Sequence, residues 1–144
     1  MKKSLIVFIV AFGLSIALTF LPLVPKTVVS QSSIAGSISV NTLFSLFFGL
    51  VGLALFFAVF YFLANNNKIP VSKSTIIALL LGVTIGSAIV YLLNVFLYQS
   101  YVGLYLSMAV NSSVSGVFQF FFPALTALMY AELRETRNQT IISA

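Results

Sequence analysis

Four stretches of this chain, at about 4–24, 41–64, 74–98 and 115–131, contain no Asp, Glu, Lys or Arg. A helix rising 1.5 Å per residue needs about 20 apolar residues to cross about 30 Å of hydrocarbon. The first three stretches reach that length, and the fourth is shorter and carries Gln119 and Pro123. With 60% hydrophobic and 6% charged residues and a mean hydropathy of +1.15, the chain cannot hide its apolar surface in a water-soluble core. The expected fold is therefore all-α, a polytopic integral membrane protein built as a bundle of four transmembrane helices.

The first run follows Lys2 and Lys3, extends to Val24, and is closed by Pro22 and Pro25, which cannot continue a helical hydrogen-bond ladder. A basic start and an apolar run also suit a cleaved signal peptide, with small residues near Ser30 or Ala35, but this run exceeds the usual apolar length of such a segment. The Ser-rich stretch that follows reads as an outer loop over 25–40. In the second span Asn41 or Thr42 is placed to cap the start, Asn65 to Asn67 to close the end, and Tyr61 to sit at the interface.

Residues 65–74, NNNKIPVSKS, form the hydrophilic break at mid-chain, an inner turn over 65–73 in which Pro70 delays re-entry and Ser72 or Ser74 caps the third span. The stretch lacks the glycines of a phosphate-binding loop. Residues 99–114 read as a second outer loop or as a short interfacial helix, since Tyr101, Leu104, Tyr105 and Met108 recur at helical spacing. A polar tail, 132–144, follows the fourth span.

Lysine and arginine are retained on the cytoplasmic side of a membrane. With the N-terminus inside, Lys2, Lys3, Lys68, Lys73, Arg134 and Arg137 lie inside and Lys26 lies outside. Both termini are therefore expected in the cytoplasm, and the location is the cell (plasma) membrane. Of two Asn-x-Ser/Thr sequons, that at Asn111 falls on the outer side and is the candidate for glycosylation, while that at Asn138 falls in the inner tail.

The most regular pattern lies in the third span, where Ser74, Ala78, Gly82 and Gly86 recur every four residues and lead towards Asn94. Small residues at this spacing let a second helix approach closely, either within the bundle or between copies of the chain. Asn94, Thr84 and Gln119 are candidate polar positions inside the spans, and each needs a partner for its polar group. Gly13, Ala17, Ser45, Gly49, Gly52, Ala127 and Ala131 offer further contact points. Phe118, Phe120, Phe121 and Phe122 surround Gln119, and Pro123 frees a carbonyl near enough for that amide to satisfy.

No ionisable residue falls inside a span, which argues against a pump or a proton-coupled carrier. Histidine and cysteine are absent and Glu132 and Glu135 are the only acids, so no catalytic residue, metal ligand or cofactor site is expected. The basic balance reflects scarce acids rather than a polycationic face, so no nucleic acid is expected as a partner. The expected partners are the lipid bilayer and other membrane subunits or the chain itself. The expected function is that of a small non-enzymatic accessory or assembly subunit of a larger membrane complex. The alternative is a small homo-oligomeric transporter or channel with the third helix at its interface.

Overall fold

The computed structural model describes residues 2–20, 34–97 and 102–142, and these are almost wholly helical. The helices are α1 (Lys2–Phe20), α2 (Ile34–Asn67), α3 (Lys73–Leu97), α4 (Val102–Gly116) and α5 (Phe122–Ile142), with a π turn over Val117–Phe121 joining the last two. Four stretches are long and apolar enough to cross a membrane: Lys2–Thr19, Gly49–Asn67, Lys73–Leu93 and Val102–Gln139. The chain is an all-helical bundle with four candidate membrane crossings.

The helices associate as two parallel pairs. α1 runs alongside α3 in the same direction, so that Ser4 meets Ser74 at 3.1 Å near one end while Ser15 lies against Gly86 further along. α5 runs alongside α2, with Phe120 stacked on Phe56 at 4.7 Å and Tyr130 near Tyr61 at 5.9 Å. α4 returns antiparallel along α3 and joins the pairs. The core between them holds Val7, Ala11, Phe56, Phe60, Leu79, Val83, Ala124 and Leu128, all fully buried. α1 is thus a full member of the bundle.

The inner turn follows from its residues. Lys68 adopts a left-handed conformation (φ 46°), and the Ile69 amide reaches back to the Ala64 carbonyl at 3.4 Å, the six-residue closure that commonly ends a helix. Ile69 is buried beneath it, and Asn67 Nδ2 donates to the Leu63 carbonyl at 3.1 Å. Ser72 caps α3: its Oγ accepts the Thr75 amide at 3.3 Å, and its carbonyl accepts the Ile76 amide at 3.0 Å. N-terminus, inner turn and α5 meet at one end of the bundle, because Lys3 Nζ donates to the Lys68 carbonyl at 2.8 Å and Glu132 Oε2 accepts the Val71 amide at 3.2 Å.

Three boundaries differ from the sequence reading. α2 starts at Ile34, so Asn41 and Thr42 are interior to it and cap nothing; residues 25–33 of the expected outer loop, with Pro22 and Pro25, lie outside the described residues. Residues 102–114 are helical and packed on α3, where an outer loop or a separate interfacial helix is expected from sequence. The tail stays helical to Ile142.

Candidate functional site

Among the described residues, the charged ones collect at the end of the bundle where the inner turn meets α5. A cleft of about 420 Å³ opens there, lined by Asn65, Lys68, Pro70, Glu132, Arg134 and Asn138 among others. Its charged groups are engaged with one another and with the backbone. Lys68 Nζ lies 3.5 Å from Glu135 Oε1, Glu132 holds the Val71 amide, and Arg134 donates to the Tyr61 hydroxyl. Exposed pairs of this kind contribute little to stability individually. Their combined effect is to tie the inner turn to the last helix, and Tyr61 serves that tie.

Deeper in the bundle, the small residues expected at a helix interface occupy two different contacts of α3. Gly82 and Gly86 face α1: a Cβ on Gly82 would stand 2.8 Å from both Ala11 Cβ and the Phe8 carbonyl oxygen, and one on Gly86 would stand 2.7 Å from the Phe12 carbonyl oxygen. Ala78, half-buried, packs against the same core. The Gly82–Gly86 face is therefore filled by α1 of the same chain and is not presented to a second copy. Asn94 lies in α3, but its side chain is outside those described.

The second contact lies between α3 and α4. Ser112 Oγ donates to the Ser87 carbonyl at 2.8 Å, and Ser113 Oγ lies 3.3 Å from the Thr84 carbonyl and 2.9 Å from that of Ala109. Gly116 sits directly on the Ser87 hydroxyl, and a Cβ there would meet Ser87 Cβ at 3.1 Å. Ser112, Ser113 and Gly116 thus form a helix-packing face. Thr84 donates to the Leu80 carbonyl of its own helix at 2.8 Å. Asn111 is exposed on α4, and the serine that completes its sequon, Ser113, holds its hydroxyl against α3 rather than in an open loop. Two hydroxyls, Ser15 and Ser87, are buried without a hydrogen-bond partner.

No family model, curated protein or solved structure matches this chain. What it does must be read from its own surfaces.

The π turn divides the phenylalanine cluster. Pro123 lacks an N–H and its ring crowds the carbonyl four residues back. The helix widens just before it, and the Phe122 amide bonds to the Val117 carbonyl, five residues back. Phe120 and Phe121 turn into the core, where a Cβ on Gly52 would stand 2.9 Å from the Phe120 ring and Phe120 stacks on Phe56, while Phe118 and Phe122 face outwards. Among the described residues Gly13 and Gly49, by contrast, have nothing within 4 Å of a Cβ, and Gly13 and Ala17 are exposed.

Gln119 is exposed in the middle of this turn. It makes no hydrogen bond among the described residues, so the expected pairing of its amide with a carbonyl freed by Pro123 does not form. Counting back from Glu132, the first charge of the last helix, Gln119 lies about 20 Å along the helix, a distance that falls in the interior of a hydrocarbon layer about 30 Å thick. Sequence reasoning singles out this residue; the outward turn of its amide comes only from the π geometry.

Proposed function

We propose that this chain is a non-enzymatic, multi-pass protein of the plasma membrane with both ends in the cytoplasm, and that it works as an accessory or assembly subunit of a larger membrane complex. The observation that carries this reading is the exposed, unpartnered amide of Gln119 at mid-depth. An amide moved into hydrocarbon without a partner costs on the order of 4 to 8 kcal/mol against water. Most other intramembrane polar groups of the chain are spent on its own helices, as Ser112, Ser113 and Thr84 are. A surface amide at this depth is supplied with a partner when another polypeptide packs against it.

The cytoplasmic orientation rests on the lysines and arginines at the end where Lys3, Lys68 and Glu132 meet. Extraction into mild detergent or lipid nanodiscs followed by mass measurement tests the assembly. A particle containing this chain in fixed stoichiometry with at least one further polypeptide is expected, and a lone, monodisperse monomer would overturn the proposal. Since the chain has no cysteine, single cysteines at Ser72 and Ser107 report orientation. Labelling of Ser72→Cys by an impermeant reagent added outside intact cells would overturn the orientation.

A further inference from the structure

We infer that the outward face of α4, the π turn and α5 around Gln119 is the surface on which a second copy of this chain docks, with the two Gln119 amides paired across a two-fold axis along the membrane normal. The inference rests on the assembly reading above and names the partner.

Three observations select a second copy. The first is depth: two copies inserted in the same orientation place the same residue at the same level, so the amide that needs a partner at mid-membrane meets an identical one. The second is hydrogen-bond complementarity. A carboxamide carries both a donor and an acceptor, so two of them related by a two-fold each give and take one hydrogen bond. The third is the shape of the face. Val110, Val114, Phe118 and Phe122 recur every four residues and are 47 to 66% exposed, which gives a ridge that can interdigitate with its own copy.

The π turn also aligns the polar groups of this face. Asn111 and Thr126 are fifteen residues apart and both are exposed. The π turn holds one residue more than an α turn, so the two stand as if fourteen apart, two heptads on one face, with Gln119 between them. A polar seam of Asn111, Gln119 and Thr126 beside the ridge fixes register as well as affinity. Isolated lipid-facing aromatics need no explanation, but an amide aligned with two further polar residues on one face is not accounted for by lipid.

The test uses the full chain in membranes. Single cysteines at Val114 or Phe122, on the proposed face, and at Ile9 or Phe62, exposed on α1 and α2, are oxidised in lipid, and dimer formation is read on denaturing gels. Disulfide-linked dimers at Val114 and Phe122 but not at Ile9 and Phe62 are expected. In energy-transfer titrations in lipid, Gln119→Leu should weaken self-association about 8- to 300-fold, the effect of losing the two symmetric intramembrane hydrogen bonds, while Gln119→Asn retains most of it. Gln119 is exposed and makes no hydrogen bond among the described residues, so thermal melting of the Gln119→Leu monomer should change little. An unaltered dimer affinity in Gln119→Leu, or cross-linking through the α1 or α2 positions alone, would overturn the inference. A stoichiometric foreign subunit with no self-cross-linking would overturn it while leaving the assembly reading intact. A lone monomer would overturn both.

Discussion

Gly86 lies so close to α1 that a Cβ added to it would stand 2.7 Å from the carbonyl oxygen of Phe12. The obstacle is backbone, which no side-chain rotation can move aside, and four residues earlier Gly82 meets the Phe8 carbonyl in the same way at 2.8 Å. Gly82→Ala and Gly86→Ala should each destabilise the bundle by about 1 to 3 kcal/mol, the usual range for forcing extra volume into a packed contact. Gly13→Ala, where nothing lies within 4 Å, should cost nothing. Thermal or chemical unfolding in lipid nanodiscs checks the ordering, and equal effects at the three glycines would show that α1 does not sit on this face.

The two buried hydroxyls without partners, Ser15 and Ser87, have the opposite consequence. Each is fully or almost fully buried, at 0% and 1% exposure, and each lies at a close helix contact, Ser15 against Gly86 and Ser87 against Gly116. Size accounts for both positions and hydrogen bonding for neither. Ser15→Ala and Ser87→Ala should therefore match or exceed the parent in stability, by up to about 1 kcal/mol, because each removes an unpaired hydroxyl. Ser112→Ala, which deletes a bond to the Ser87 carbonyl, should lose about 0.6 kcal/mol. A melting series over the three variants decides it.

These contacts also show what could be read from sequence and what could not. The four charge-free runs and the charges at their ends are enough to give an all-helical bundle with four candidate crossings, since charge burial in lipid is costly whatever the helices pack against. The stretch 99–114 reads as a loop or a short interfacial helix because in water Asn and Ser break helices. In an apolar layer Ser hydroxyls bond to carbonyls of their own or a neighbouring helix, and small side chains let helices touch, so the same composition makes an interface. The same misreading hides the first turns of α2, where Ile34 to Val40 are helical. Glycine spacing in the third span announces a close contact but not its partner. That depends on where α1 falls.

At the inner turn, Lys68 holds a left-handed backbone (φ 46°) that costs an L-residue roughly 1 to 2 kcal/mol relative to a right-handed one. Its side chain is 76% exposed and pairs with Glu135 at 3.5 Å, a surface contact of small weight. Lys68→Gly should therefore raise stability by about 0.5 to 1 kcal/mol despite the lost ion pair, and Lys68→Val should lower it. The Lys3 bond survives in the glycine variant, because its acceptor is the carbonyl at position 68. A lower melting temperature for Lys68→Gly than for the parent would mean that the ion pair, rather than backbone conformation, sets the energetics of this turn.

The π turn lends itself to a sharper test, because it acts as a single inserted residue between two halves whose phases are fixed separately. Above it, Ser112, Ser113 and Gly116 are held on α3; below it, Ala124, Leu128 and Arg134 are held against α2 or the core. Removing one residue from the turn, together with the proline that forces it open, should leave an unbroken α-helix with both halves still in phase. A chain lacking Gln119 and carrying Pro123→Ala should therefore fold, and cysteines replacing Ser87 and Ser112 should still cross-link. Removing Thr126 instead rotates everything beyond it by about 100°, turning Leu128 out of the core and Arg134 away from Tyr61, so that variant should melt well below the parent. If the two deletions prove equally damaging, the widened turn is not an insertion between fixed halves. The deletion that spares the fold should nevertheless weaken self-association at least as much as Gln119→Leu does, since it removes the mid-helix amide that has no hydrogen-bond partner among the described residues.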